Sequence, residues 1–341
     1  MTKMTKMTKT TETTERPMRL LELFSGIGAQ TTALQNLGIE HTSVCCEIDG
    51  QAHSAYEAMH GPTENLGDIT KVERLPPCDL LTYSYPCQAV SVAGSRTGME
   101  EGSGTSSSLV WEVGRLLTVA KERGELPEYL LMENVKGVLQ NPNKAVFDRW
   151  CKHLTSLGYT QSYAVLNAKD FGVPQSRERI FMVSTLTHGA LVFPQGTGKK
   201  VMLKDMMESD VDERYFLTKE RIASFERHRR NQEEAGRGFG WNPAVPEGVA
   251  PTVPTGAGGG HIPRLDVSGD EVRIRYLTPR ECWRLQGFDD ERIDRAFKVI
   301  EHDSARYRMA GNSIAVPCLE AIFKAMFIDK RFAKRGRLDE W

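Results

Sequence analysis

The sequence predicts an α/β fold: a mostly parallel sheet covered by helices on both faces, with a second, smaller, loop-rich module set into it. Three observations carry this. From Met18 to about 186, short apolar runs of strand length alternate with stretches of helical spacing, the order that gives a parallel sheet. From Thr187 to Val272 that alternation stops, and Gly, Pro and charged residues take over, with the run PTVPTGAGGGH. The 341 residues also exceed the size at which one hydrophobic core stops growing, so two lobes are expected.

The elements follow in order. MTKMTKMTKTTETTER is polar, repetitive and Thr-rich, and 1–17 is read as a disordered leader. MRLLELF is a first strand, SGIGA a turn and TTALQNLG a helix. HTSVCCEID is a second strand, QAHSAYEAMH a second helix and CDLLTYSY a buried strand. LVWEVGRLLTVAKERG has apolar residues at helical spacing and stops at Gly124. PEYLLMENV is a strand, and a helix from about Ala145 to Leu157 closes at Gly158. YAVLNAKDFG and RIFMVSTL are two more strands, completing a lobe over 18–186. After the module at 187–272, RIRYLTPRECWRLQGF restores order, with Pro279 suited to a first helical turn behind Thr278 as cap. The last helix, PCLEAIFKAMF, packs back on the first lobe, so 273–330 completes it and 331–341 is a basic tail.

Composition bounds the partners. Hydrophobic content of 40 % and charged content of 26 % are ordinary for a globular chain, and the formal net charge is −1. Nucleic-acid binding would therefore need a local basic face, such as Arg221, Arg227, Arg229 and Arg230, which could equally be a solvated helix face. The seven cysteines contain no Cys-x-x-Cys pair, which speaks against a disulfide framework and against structural zinc. No metal is expected, and a reducing cytoplasm fits. No apolar run approaches membrane-spanning length, and no secretory signal opens the chain.

Five clusters carry candidate chemistry. In LELFSGIGA, Gly26 and Gly28 allow close backbone approach to a ligand before a helix start. Glu47 follows about 20 residues on, where dinucleotide folds place a ribose-binding acid. Asp68 would end a strand nearby. Thr31 stands where a dinucleotide fingerprint has its third glycine, which disfavours a nicotinamide cofactor. In YSYPCQAVSVAG, Pro86 directs the chain and Cys87 sits at the carboxyl end of a buried strand; a lone cysteine is more often a small core residue. MENVKGV brings Glu133 and Asn134 to the same edge. VPQSRERIFMV alternates Gln175, Arg177 and Arg179 on one strand face, suited to an anionic ligand or to ion pairs. MAGNSIAVP offers Asn312 and Ser313 in a turn before a helix. Residues 88–107 suit a mobile lid, with Gly94, Gly98, Gly102 and Gly104 as hinges and Ser91, Ser95 and Arg96 in reach of phosphates.

Taken together, FSGIG, YPCQ, ENV, QSRER, a variable module and GNS, in that order, resemble the cytosine-5 DNA methyltransferase family from Met18 to Lys330. The resemblance implies a Rossmann-like class I methyltransferase lobe and a target-recognition domain at 187–272. It implies S-adenosylmethionine as cofactor, double-stranded DNA as partner and a monomeric enzyme; a cognate restriction endonuclease is a partner the family admits. Cys87 is then the nucleophile, Glu133 the acid near cytosine N3, and Arg177 and Arg179 supporting cations. Phe24, Ser25, Gly26, Gly28, Glu47, Ile48, Asp68, Ile69, Pro86, Asn312 and Ser313 match cofactor-contacting positions. Gln88, Ser91, Arg96 and Gln175 are expected at DNA, with Arg221, Arg227, Arg229, Arg237 and PTGAGGGH as further candidates, while Arg280 and Arg284 support the module. Two departures stand out: Tyr85 replaces the family's usual Pro before Pro-Cys, and MEEGSGTSSSLVW is Ser-rich where many members carry an arginine.

The implied reaction begins when a thiolate adds to carbon 6 of an extruded cytosine and so makes carbon 5 nucleophilic. Three other readings remain open at this point. They are an RNA cytosine methyltransferase, a non-catalytic DNA-binding protein on the same fold, and a nicotinamide-dependent oxidoreductase.

Overall fold

A computed structural model describes residues 16–86, 105–236, 242–255 and 262–334. In chain order its first strands are β1 (Met18–Leu23), β2 (His41–Cys46), β3 (Glu64–Asn65), β4 (Leu80–Tyr83), β5 (Tyr129–Val135), β6 (Thr160–Asn167), β7 (Gln175–Ser176) and β8 (Glu178–Thr185). All but β7 join one seven-stranded sheet in the order β3-β2-β1-β4-β5-β8-β6. The pairings are parallel except those of β8, which runs antiparallel to both β5 and β6. The chain winds outward from β1 to β3 and then returns to β4 on the other side of β1. Between β1 and β4 lies a topological switch point, and the crevice beyond its carboxyl ends is where open α/β sheets bind ligands.

The strand alternation sorts into two cores. Leu20, Leu80, Leu131, Phe181 and Val183 face one layer; Leu21, Leu23, Leu81, Leu130, Met132 and Met182 face the other. Helices α1 (Ala29–Asn36) and α2 (Gly50–His60) cover the first face through Ala33, Leu34, Ala55 and Met59. Helices α3 (Val110–Glu122) and α4 (Asn143–Leu157) cover the second through Val113, Leu116, Phe147 and Trp150. Gly158 ends α4 at φ +107°, a conformation that favours glycine.

Beyond β8 the structure is sparser. Helix α5 (Lys219–Glu234) buries only Ile222 fully, against Leu217 and Ile274. Short strand β9 (Ala250–Pro251) runs beside β7, and β10 (Arg264–Asp266) pairs with β11 (Ile274–Tyr276). Because β11 completes the hairpin on which α5 rests, this substructure extends past the expected boundary at 272. Helix α6 (Pro279–Arg284) starts with a capping box, Thr278 accepting from Glu281 N and Glu281 accepting from Thr278 N. Arg280 pairs with Glu208, Asp290 and Asp294; Arg284 donates to Met206 O, Met207 O and Asp290. Both therefore tie residues 206–208 to α6 and to α7 (Asp290–Phe297).

Helices α8 (Asp303–Asn312) and α9 (Val316–Phe323) finish the chain's long elements. One 18-residue window within Asp303–Ile328 reaches a mean hydropathy of 1.3, although the stretch breaks between α8 and α9. Its apolar side chains, among them Val316, Leu319, Ile322 and Phe323, fill the protein's own core, which accounts for the hydropathy. Of the expected leader and tail, residues 16, 17 and 331–334 are described, and they are tied to the lobe. Arg16 pairs with Asp79, and residues 331–333 bond to 190–192 through Val192 N to Arg331 O and Ala333 N to Ala190 O.

Candidate active site

Strands β1, β4 and β5 leave the sheet at the same edge, and the segments that follow build a cleft of about 280 Å³. After β1 the chain turns sharply, with Phe24, Gly26 and Gly28 all at positive φ (59°, 54° and 78°). Gly26 N donates to Glu47 Oε2 at 2.8 Å, and Asp49 N donates to Glu47 Oε1 at 2.8 Å. Burial pushes the Glu47 carboxyl up, and these two N–H groups oppose the shift. A side chain at Gly26 would meet nothing within 4 Å, so its backbone is bare toward the cleft. Ile48, 75 % exposed, and Phe24 give the rim an apolar surface. Asp68 caps the turn Ile69–Lys71 through Thr70 N and Thr70 Oγ1, bonds that hold its carboxyl below the ordinary range.

Gly28 plays a different part from the one expected. It does not line the cleft: a Cβ there would lie 2.6 Å from the Tyr56 ring and 2.8 Å from His60 Nε2. Gly28 thus lets α1 start hard against α2. Thr31, in place of a third glycine, donates its hydroxyl to Glu22 Oε1 at 2.5 Å, and Tyr56 OH reaches the same oxygen at 2.7 Å.

On the other wall, Ser84, Tyr85 and Pro86 continue from β4 while Glu133 and Asn134 end β5. Glu133 is buried, with Oε1 3.2 Å from Arg179 Nε. Burial raises its carboxyl above the ordinary range, while Arg179, Arg177 and a hydrogen bond from Ser84 pull it back. Glu133 is thus a buried acid held against the Arg179 guanidinium at the cleft wall. Asn134 Nδ2 donates to Tyr85 O at 3.0 Å. Tyr85 itself is buried in the second-face core with Tyr83 and Met132, so the departure from Pro is filled as a core position.

The Gln175–Arg179 run divides by depth. Arg179 faces Glu133. Arg177 lines the cleft with a buried guanidinium whose N–H groups go to Val253 O, Gly311 O and Ser313 O. Gln175, expected at DNA, is 0 % exposed; its Nε2 donates to Leu285 O and its Oε1 accepts from Val253 N. It is a seam residue joining the 250–253 segment to α6, and it has no free amide to offer a ligand. The expected turn at Asn312 and Ser313 is the junction of α8 and α9, with exposed Asn312 ending α8 and buried Ser313 capping it. Phe24, Ser25, Gly26, Glu47, Ile48, Asp68, Ile69, Pro86, Asn312 and Ser313 all line the one cleft with Glu133, Arg177 and Arg179. Leu109 and Met309 line it too and carried no sequence signal, while Thr255, in the PTGAGGGH run expected at DNA, lines the same cleft. Gly311 did carry one, as the Gly of GNS: a side chain there would stand 2.1 Å from Pro254 O. Cys87, Gln88, Ser91, Ser95, Arg96, Arg237 and the 256–261 part of PTGAGGGH lie outside the described residues.

Comparison with known proteins now decides the family. The family model described as C-5 cytosine-specific DNA methylase matches residues 18–328. The chain belongs to that family. It is a DNA cytosine-5 methyltransferase. Type II methyltransferase M.HpaII of Haemophilus parainfluenzae is 34 % identical, over 89 % of this chain and 87 % of its own. Type II methyltransferase M.NlaX of Neisseria lactamica is 33 % identical, over 90 % and 96 %. Orphan methyltransferase M.SssI of Spiroplasma monobiae is 36 % identical, over 76 % and 68 %. The S. pombe Dnmt2 methyltransferase structure shares the fold, with a TM-score of 0.70 at 22 % identity over 92 % of this chain and all of its own. Among the described residues of this methyltransferase no cluster of His, Cys, Asp and Glu could hold a metal ion.

Proposed function

We propose that this DNA cytosine-5 methyltransferase moves the methyl group of S-adenosylmethionine to carbon 5 of a cytosine extruded from duplex DNA, with Cys87 adding to carbon 6. The observation that supports this best is the Glu133–Arg179 pair on the same wall as Tyr85 and Pro86, the residues that lead into Cys87. The other six cysteines make poor rivals. Cys45, Cys46, Cys78, Cys282 and Cys318 are buried and Cys151 half-buried. Burial pushes every one of those thiols up, Cys151 to about 11, Cys46, Cys78 and Cys318 to about 12, and Cys45 and Cys282 well above the ordinary range. A thiolate is needed for addition, so these six are inert near neutral pH.

The cleft fits the cofactor by its donors and its shape. Bare backbone at Gly26 allows close approach, the Glu47 carboxylate can accept from ribose hydroxyls, and Phe24 and Ile48 offer apolar surface to a purine. Asp68 can accept from an exocyclic amine. When bound, S-adenosylmethionine supplies an electrophilic methyl group.

The protein's own residues do the rest. Addition of the Cys87 thiolate to carbon 6 forms an S–C bond and moves an electron pair toward N3, where Glu133 gives or shares its proton. Arg179 fixes the orientation of that carboxyl, and Arg177 fixes the cleft wall behind it through the Ser313 and Val253 carbonyls. After methylation a base takes the carbon 5 proton, the electron pair of that C–H bond re-forms the 5,6 double bond, and the S–C bond breaks to release the Cys87 thiolate. Residues 187–272 supply target recognition in this reading. Since type II and orphan methyltransferases both occur among the relatives, the role in the cell is either modification beside a restriction endonuclease or modification alone.

The test has two stages. Expression in a host free of cytosine methylation, followed by bisulfite sequencing, gives the target. A duplex with 5-fluorocytosine at that target should then be trapped covalently by the wild-type enzyme with methyl donor present, and not by Cys87→Ser. Trapping by Cys87→Ser, or none by wild type, overturns the reading.

A further inference from the structure

We propose that Ser107 is a positioning residue for the nucleophile: its hydroxyl fixes the peptide plane that joins Pro86 to Cys87. The inference rests on Cys87 being the nucleophile. Ser107 sits in the one-turn helix Ser106–Leu109 that leads into α3, and it is 0 % exposed. A buried hydroxyl needs a partner. Here Ser107 Oγ donates to Pro86 O at 2.8 Å, from 21 positions further along the chain. That oxygen belongs to the same rigid amide as the Cys87 N–H.

The geometry leaves Pro86 little freedom. Its ring holds φ, and ψ, the one soft dihedral remaining, is what the bond to Ser107 sets. The carbonyl before it, Tyr85 O, is taken by Asn134 Nδ2 at 3.0 Å, and that amide is oriented in turn because its Oδ1 accepts from Val135 N at 2.8 Å. Two consecutive carbonyls are thus held from two different elements, the end of β5 and the approach to α3. The backbone therefore leaves Pro86 in a direction set before any substrate binds, and fixing the chain just ahead of a nucleophile is how its target atom is kept within reach.

The experiment measures single-turnover methyl transfer on the target duplex, trapping of the 5-fluorocytosine duplex, S-adenosylmethionine affinity by calorimetry, and thermal stability. Ser107→Ala should slow methyl transfer and trapping together by about tenfold, the effect of one lost positioning hydrogen bond, while cofactor affinity stays within about twofold. Ser107→Thr keeps the hydroxyl and should recover most of the rate. Ser107→Val, equal in volume to Thr, should stay slow, so the Thr–Val comparison cancels any packing effect. Equal rates for Thr and Val, a wild-type rate for Ala, or losses of cofactor affinity as large as the losses of rate would each overturn the positioning role. A trapped Cys87→Ser enzyme would instead overturn the nucleophile assignment, whatever the Ser107 variants do.

Discussion

Replacing Glu22 by Gln should stabilise the protein increasingly as pH rises. Glu22 lies on β1 directly beneath the glycine turn, 0 % exposed. Its Oε1 accepts from Thr31 Oγ1 and Tyr56 OH, while Oε2 has no partner among the described residues. Burial pushes this carboxyl up from 4.5 to about 7, against the hydrogen bonds from the Thr31 hydroxyl, the Tyr56 hydroxyl and the Thr31 backbone, and no cation among the described residues offsets it. For an acid whose folded pKa is raised, the stabilising contribution is fully present below the unfolded value near 4.5. It is lost as pH rises through about 7, because folding must then bury an unpaired carboxylate. A shift of this size corresponds to about 3 kcal/mol in total, of which about 2 kcal/mol is lost between pH 5.5 and 8.5. Gln keeps a carbonyl for Thr31 and Tyr56 and never ionises. Urea unfolding of both proteins across that range should therefore show their difference growing by about 2 kcal/mol in favour of Gln. A difference that stays flat with pH would refute the argument, since every other titrating group is common to the two proteins.

Two further substitution sets separate roles within the cleft. Gly26→Ala and Gly28→Ala both place a side chain at positive φ, a strain of roughly 1–2 kcal/mol in each case. Gly28→Ala adds a clash with Tyr56 and His60 and should lower thermal stability more; Gly26→Ala points into open cleft and should lower cofactor affinity more. Calorimetric affinities and melting temperatures that rank the two alike would contradict this division. Glu133→Gln keeps the shape but not the transferable proton, so kcat should fall by about 10²–10⁴ with cofactor affinity retained. An unchanged single-turnover rate would remove Glu133 from the chemistry.

Much of the lobe was legible because its apolar runs are long enough to specify strands and its helices end at recognisable signals, Gly124 and Gly158 among them. Direction was not legible. RIFMVST reads as a buried strand whichever way it runs, and only the position of β6 at the sheet edge makes β8 antiparallel. Two-residue β3 is too short for any pattern, and α5 is polar on nearly every position, so its arginines could be read as a solvated helix face but no apolar stripe fixed its bounds. Thr31 was read correctly as a gap in a dinucleotide fingerprint, yet its physical cause, a hydroxyl shared with buried Glu22 and Tyr56, involves partners 9 and 25 positions away.

The cleft shows the same boundary between local and distant information most sharply in the QSRER run. Period-2 spacing places Gln175, Arg177 and Arg179 on one strand face, but the structure splits the run, with Gln175 in β7, Arg179 in β8 and Arg177 between them, and spacing says nothing of what crosses above it. The 250–253 segment, more than seventy positions later, packs over the first part of the run and takes the Gln175 amide and one arm of Arg177. The α8–α9 junction takes the rest of Arg177. Arg179, beyond the reach of both, gives one arm to the neighbouring Glu178 O and keeps its Nε for Glu133. A residue's chemical role in this enzyme is thus set by how many distant carbonyls compete for its donors. The cation left at the end of the run is the one that faces the acid.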